Sequence, residues 1–166
     1  AGLIRLWNVE TGEKLDVLNT ESSRVTSMVF NADGSMLIAG TDEPDFNIQL
    51  WDMVSGERIN TLNAHQNFVQ VMALSAKNRY LASGGALGDN TVHIWDLEND
   101  GLFLHSIEGH TRSVKSLAFS ADAEILATGD GKGVIRLVDV KTGEVRQIIE
   151  AHDCAVASLK FEPENG

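Results

Sequence analysis

Apolar residues in this chain come in short runs separated by small and polar turn residues, and the runs recur in a fixed order. One kind of run reads LIRLWNV (3–9), NIQLWDM (47–53), TVHIWDL (91–97) and VIRLVDV (134–140), with Trp7, Trp51 and Trp95 in one column and Val138 closing it. A second reads RVTSMVF (24–30), FVQVMAL (68–74), SVKSLAF (113–119) and AVASLKF (155–161), placing Phe30, Leu74, Phe119 and Phe161 at steps of 44, 45 and 42. A third kind, SMLIAGT (35–41), RYLASGG (79–85) and EILATGD (124–130), is apolar and ends in a small residue followed by Gly. A fourth follows each Trp column after a turn: EKLDVLN (13–19), ERINTLN (57–63), LFLHSIE (102–108) and EVRQIIE (144–150). The runs are too short for an amphipathic helix of period 3.6, so the pattern predicts strands and almost no helix.

The turns carry their own chemistry. Gly12, Gly56, Gly101 and Gly143 stand where a tight hairpin wants a positive φ, and Asp33-Gly34 does the same elsewhere. With the strands called a, b, c and d in repeat order, the chain reads c-d, three times a-b-c-d, then a. Repeats of roughly 40 to 45 residues built from four short strands are the signature of propeller blades.

These columns resemble the WD-repeat (WD40) β-propeller family, whose repeat carries a Gly-His pair before strand a and a Trp-Asp pair at the end of strand c. The first pair stands here as Gly109-His110, and as Ala64-His65 and Ala151-His152 with Ala for Gly; the second stands as Trp51-Asp52 and Trp95-Asp96, with Trp7-Asn8 and Val138-Asp139 as departures. The resemblance implies an all-β fold, a partial ring of four-stranded antiparallel blades, covering essentially the whole chain. Its divisions are expected at 1–19 (strands c and d of a partial blade), 20–63, 64–108 and 109–150 (three blades), and 151–166 (the start of another), all within one propeller domain. WD-repeat rings usually hold seven or eight blades, so the chain is expected to be a fragment of a longer propeller. The alternative is a short chain that completes a ring with a second copy.

His65, Ser83 and Asp89 are residue types that together suggest nucleophilic catalysis, because a serine needs a base and the base an orienting carboxylate. The repeat spacing implies another role. In the family the His before strand a, the strand-b hydroxyl, the Asp of the b-c turn and the indole N–H of the strand-c Trp form a hydrogen-bonded tetrad, which falls here on His65, Ser83, Asp89 and Trp95. The neighbouring blades carry partial sets. The first keeps Asp45 and Trp51 with Ala39 at the hydroxyl position and Thr20-Glu21 in place of Gly-His; the third keeps His110 and Thr128 with Lys132 at the Asp position and Val138 for Trp. No catalytic residue is expected.

The resemblance also implies a partner surface, since many ligands of the family dock on the face carrying the d-a and b-c loops. Carried over, the positions are Arg24, Thr26, Pro44, Phe68, Gln70, Gly88, Ser113, Lys115 and Gly131, with Ala155 and Ala157 in the last partial blade. Phe68 and Arg24 are of the types enriched at binding hot spots, although Phe68 equally fits a side chain packed under a loop. The function expected is a non-enzymatic scaffold that presents its loops to protein or peptide partners. A sensor or regulatory propeller of a larger signalling enzyme, with its catalysis elsewhere, is the alternative. The remaining strands of the ring would come from the rest of the same protein or from a second copy.

Composition adds limits. The 166 residues hold 13 Lys and Arg against 24 Asp and Glu, a net charge of −11, which repels phosphate backbones, and no basic cluster stands out, so no nucleic-acid partner is expected. No run approaches the ~18 apolar residues of a membrane span and there is no signal-like N-terminus, so neither membrane association nor secretion is expected, and the compartment expected is intracellular, the cytoplasm first. Cys154 is the one cysteine and has no recognisable base; the five His are dispersed without metal-ligand spacing, so no metal or cofactor is expected. GDGKG (129–133) lacks the phosphate-loop spacing and falls in a b-c hairpin, where its glycines serve the turn. His93, alternating with apolar neighbours in strand c, reads as a packed or rim histidine.

Overall fold

The computed structural model describes residues 2–63 and 65–162, which places Ala64 of the Ala64-His65 pair, Ala1 and residues 163–166 outside the described residues. The described chain is built of antiparallel strands. A two-stranded sheet joins β1 (Leu3–Trp7) to β2 (Lys14–Asn19). Three four-stranded sheets follow: β3 (Val25–Phe30), β4 (Met36–Thr41), β5 (Ile48–Asp52) and β6 (Arg58–Leu62); β7 (Val69–Leu74), β8 (Tyr80–Gly85), β9 (Val92–Asp96) and β10 (Leu102–Ile107); β11 (Val114–Phe119), β12 (Ile125–Asp130), β13 (Val134–Asp139) and β14 (Val145–Glu150). Within each sheet the strands lie in chain order, as consecutive hairpins require. A single turn of 3-10 helix, Leu97–Asn99, interrupts the pattern after β9, where Asp96 caps it by accepting from the Glu98 N–H.

Burial explains the strand compositions. The second strand of each sheet, β4, β8 and β12, is buried along nearly its whole length, so it does not alternate and is apolar or small except at its ends. The fourth strands, β6, β10 and β14, are the solvated edge, exposed or half-buried along most of their length. The first strands form the opposite edges, with β3 packed beside β7 and β7 beside β11. Each first strand also carries a register shift against its neighbour, between Val25 and Ser27, Val69 and Val71, and Val114 and Ser116. The extra residues are Thr26, Gln70 and Lys115, and a bulge of this kind turns its side chain away from the strand's regular alternation.

The sheets stack face to face through one recurring contact. A Cβ built on Gly40 would lie 2.7 Å from Val69, one on Gly84 2.7 Å from Val114, and one on Gly129 2.8 Å from Val156. The valine that opens one blade's inner strand therefore sits directly on the backbone of the preceding blade's second strand. Around these contacts lie apolar clusters, one formed by Ile38, Ile48, Leu50, Leu62, Val69, Met72, Leu81 and Trp95, the next by Ala82, Val92, Ile94, Ile107, Val114, Leu117, Leu126, Val138 and Val140. Hydroxyls reinforce them: Thr26 donates across to the Val69 carbonyl at 2.7 Å and Ser116 to that of Val156 at 2.7 Å.

The run at 155–161 departs from expectation. It forms no paired strand, although Val156 is buried and its N–H donates to the Asp130 carbonyl. The seat on Gly129 holds this one residue, while a strand needs a second chain to satisfy its backbone groups. Among the described residues no helix is long and apolar enough to cross a membrane.

The glycine contact is testable. Gly84→Ala places a methyl against a stiff, β-branched neighbour, which costs about 1–3 kcal/mol of overpacking. In a urea-melt double-mutant cycle, Val114→Ala should relieve part of that loss, so that the double variant is more stable than the two single losses added. Strict additivity would mean that the two side chains do not meet.

Candidate functional site

The second blade binds its polar residues into one chain. The Trp95 Nε1–H donates to Ser83 Oγ at 3.1 Å, Ser83 Oγ lies 2.9 Å from His65 Nε2, and His65 Nδ1 lies 3.0 Å from Asp89 Oδ2. Every group is satisfied when the Ser83 hydroxyl donates to Nε2 and the Nδ1–H donates to Asp89. The Gln66 N–H also donates to Asp89 Oδ2 at 2.7 Å, while the Thr91 N–H and hydroxyl donate to Oδ1. Burial alone would raise the Asp89 carboxyl, but the bonds from His65 and Thr91 outweigh it and hold the group well below the ordinary carboxylate range. Gly85 makes the space for this carboxylate, since a Cβ there would lie 2.5 Å from Asp89. His93 completes the packing, stacked on His65 at 4.3 Å, with Trp95 and Phe103 set edge-on to it.

The Ser83, His65 and Asp89 connectivity is that of a hydrolytic triad, and access is what separates the two. Ser83 is 0% exposed, the His65 side chain likewise, and the serine oxygen already carries the indole N–H. A nucleophile needs a position about 3 Å from its oxygen where a substrate carbon can sit, and here protein atoms surround it.

The third blade reaches the same result by a different residue. The repeat register puts Lys132 at the Asp position, yet the carboxylate beside His110 belongs to Asp130, whose Oδ2 is 3.0 Å from Nδ1. Asp130 aligns with Gly85, so its own side chain occupies the region into which Asp89 reaches from a longer loop. Its Oδ1 accepts from the Lys132 and Val134 N–H groups at 2.9 and 3.0 Å, which closes the short turn. Thr128 Oγ1 lies 2.7 Å from His110 Nε2, and Arg136 reaches over to the ring and to the Gly109 carbonyl. Burial depresses the His110 pKa below its ordinary 6.5; the Asp130 hydrogen bond opposes this, and the positive Arg136 adds to it.

In the first blade the network is replaced. Asp45 is exposed on its loop and stands apart from it; Thr41 instead donates to Asn47 Oδ1 at 2.9 Å, and Gln49 donates to the Thr20 carbonyl at 2.8 Å. With Ala39 at the place that Ser83 takes in the next blade, the buried Trp51 Nε1 has no hydrogen-bond partner among the described residues.

The loop-face residues divide. Arg24 is exposed, pairs with Asp42 at 2.8 Å, and holds its guanidinium 5.5 Å from the centre of the half-buried Phe68 ring. Lys115 donates to Gln70 across neighbouring blades at 3.3 Å. Pro44 and Gly88 lie exposed on the b-c loops. Thr26, by contrast, has its hydroxyl committed to Gly40 and Val69, Ser113 is buried, and Gly131 packs against Arg112, so these three offer a partner little. Leu87, 55% exposed beside Gly88, is a surface apolar residue that the repeat columns did not single out. Only its place on a b-c loop marks it in the sequence.

Two outcomes follow for the network. Ser83→Ala leaves the Trp95 and His65 nitrogens unsatisfied and should cost about 1–3 kcal/mol, whereas Ala39→Ser gives Trp51 an acceptor and should add about 1 kcal/mol, both read in chemical denaturation. Acidification should lower stability in two windows. The His110 contribution is whole above its unfolded value of 6.5 and is lost as pH falls through the depressed folded value; those of Asp89 and Asp130 are whole above 3.8 and are lost as pH falls through theirs. Melting temperature against pH should show both declines, and His110→Gln should flatten the first.

Comparison with known proteins agrees with this architecture. A family model described as the WD domain, G-beta repeat, matches residues 12–52 and 56–96, and one described as the anaphase-promoting complex subunit 4 WD40 domain matches 88–164. Among curated relatives, apoptotic protease-activating factor 1 from Homo sapiens is 44% identical over 55 residues, 33% of this chain and 4% of that protein. WD repeat-containing protein pop2 from Schizosaccharomyces pombe is 34% identical over 67 residues, 40% of this chain and 9% of that protein. The solved structures of the RRP9 WD40 repeats and of U3-55K each superpose with a TM-score of 0.73 at 25% identity, covering 82% of this chain and 41% and 42% of theirs. The chain thus spans less than a tenth of these two curated relatives and under half of each solved structure. With its repeat columns, its four-stranded sheets and these matches in agreement, the chain belongs to the WD40-repeat β-propeller family.

Proposed function

We propose that this protein is a non-catalytic interaction scaffold that offers its d-a and b-c loops to a protein or peptide partner. The observation that carries the reading is the Arg24 and Phe68 pair. An arginine held by Asp42 lies against an aromatic ring of the adjacent blade, with its other donors open to solvent. Residues of these types, fixed in place and partly exposed, are the anchors through which interfaces gain most of their affinity. Lys115 and Gln70 continue the surface on the next blade, and Leu87 adds an apolar contact.

The sealed Ser83 hydroxyl supports a role without chemistry, and the net charge of −11 favours proteins over nucleic acid as the partner class. The small share of apoptotic protease-activating factor 1 that the chain matches favours a second reading. There, the matched segment is a small part of a much longer chain, and a propeller in such a setting would sense or regulate through the same loop surface.

The test is a pull-down from cell extract with quantitative mass spectrometry, followed by affinity measurement on the captured partner. Arg24→Glu with Phe68→Ala should weaken binding by 2 kcal/mol or more, roughly thirtyfold, while Lys141→Glu, in a c-d turn on the opposite face, should change it far less. Equal loss from both, or loss from Lys141→Glu alone, would move the surface elsewhere.

A further inference from the structure

The a-b turns of the three four-stranded blades share one geometry and differ at one residue. Gly34, Asn78 and Ala123 stand at the fourth position, where each donates its N–H to the carbonyl that opens the turn, of Asn31, Ser75 and Ser120, and each has a positive φ, 74°, 58° and 60°. Between the first and second of these blades the Asn78 side chain ties the turns together, accepting from the Ala32 N–H at 3.1 Å. Ala123 has no such side chain to offer the equivalent Ala76. Farther out both interfaces keep a tie, Asn60 donating to the Asp100 carbonyl at 2.8 Å and His105 Nε2 to that of Lys141 at 3.0 Å. A groove of about 910 Å3 lies between the second and third blades, on the face opposite the d-a and b-c loops, with Tyr80, Leu104 and Val140 in its lining.

Charge sets this groove apart. Four of the 13 Lys and Arg line it, Lys77, Arg79, Lys141 and Arg146, against four acidic residues, so the net charge of −11 lies wholly outside it. Two of the cations are engaged, Arg79 with Asp96 and Glu98 at 3.2 and 3.4 Å and Arg146 with Asp139. Asp96 and Asp139 also accept N–H groups of their turns, and Asp122 accepts that of Glu124 at 3.0 Å. Lys77 and Lys141 are exposed and pair with no carboxylate among the described residues. The lining runs from the a-b turns beside the inner strands to Leu104 and Arg146 on the fourth strands. Three strand spacings of ~4.8 Å make about 14 Å, the length of roughly four extended residues.

We propose that this groove holds an extended acidic peptide of a partner protein, with an apolar side chain on Tyr80 and Leu104 and carboxylates on Lys77 and Lys141. Its length selects a peptide over a compact anion. The two unpaired ammonium groups, on a surface that elsewhere repels anions, select the charge. Glu124, exposed on the third blade's a-b turn, turns carboxylates away from that wall and toward the lysines. The groove and the loop face are separate sites, and neither reading depends on the other.

The test is fluorescence anisotropy on the full chain with a labelled, end-capped peptide of glutamate, leucine, threonine and glutamate. Combining Lys77→Glu with Lys141→Glu should weaken binding at least about tenfold, as should glutamine for both glutamates of the peptide, whereas Glu124→Gln should strengthen it. Ala123→Asn should supply the missing tie to the Ala76 N–H, raise the urea midpoint and weaken binding, a loss that unfolding cannot explain. Arg24→Glu with Phe68→Ala should leave the affinity unchanged. The proposal is overturned if millimolar peptide does not bind, if the glutamine peptide binds as well as the parent, or if the double lysine variant keeps its affinity. It is equally overturned if Ala123→Asn stabilises the fold without weakening binding, or if inorganic pyrophosphate or a single-stranded oligonucleotide displaces the peptide at equal concentration.

Discussion

Blade-to-blade spacing in this protein is set by a valine resting on a glycine. At Gly40, Gly84 and Gly129 the next blade's first valine approaches so closely that even one methyl group would not fit without displacement. Sheets that packed through large side chains alone could slide and settle at several separations, because apolar contact has no direction. A β-branched side chain pressed onto bare backbone has one seating, and the same seating recurs with each repeat. The register of the bulges, the clusters at the sheet interfaces and the cross-blade bonds of Thr26 and Ser116 all presuppose it.

Against this constant contact, the polar network varies. The second blade satisfies its buried groups through Asp89, His65, Ser83 and Trp95; the third substitutes Asp130 and recruits Arg136; the first uses Thr41, Asn47 and Gln49 and leaves the Trp51 indole unmatched. An unmatched buried donor costs a few kcal/mol at most, which apolar packing on both faces of β4 and β5 can offset. A second polar device does persist in all blades. Asn8, Asp52, Asp96 and Asp139 each accept backbone N–H groups of the turn that follows, and this gives the Asp of the Trp-Asp pair a role apart from the Trp.

Much of this was legible in the sequence because strand repeats leave marks of fixed spacing. The glycines of the third kind of run, the valines of the second and the Trp column can be aligned by eye, and each answers to one local requirement. The substitution of Asp130 for the b-c turn carboxylate was hidden. Alignment by column assumes loops of equal length, whereas the turn between β12 and β13 is shorter, so the carboxylate moved onto the strand itself. The assignment of Asp45 failed for a related reason: its residue type matches, but without a histidine before β3 nothing draws it inward.

By itself, then, the chain determined its strand order, its turns and the layer to which each strand belongs, because these depend on neighbours along the sequence and on the number of faces each strand buries. Only the tertiary structure decided which polar groups are sealed and which are offered. Thr26 and Ser113 were both expected on the partner-facing surface, yet the Thr26 hydroxyl is turned across to the next blade and Ser113 is buried. Arg24 and Phe68 lie 44 positions apart and meet because adjacent blades bring their inner strands side by side. Accessibility and cross-blade contact are properties of the stacked sheets, set by distances between residues remote in sequence, and no local pattern encodes them.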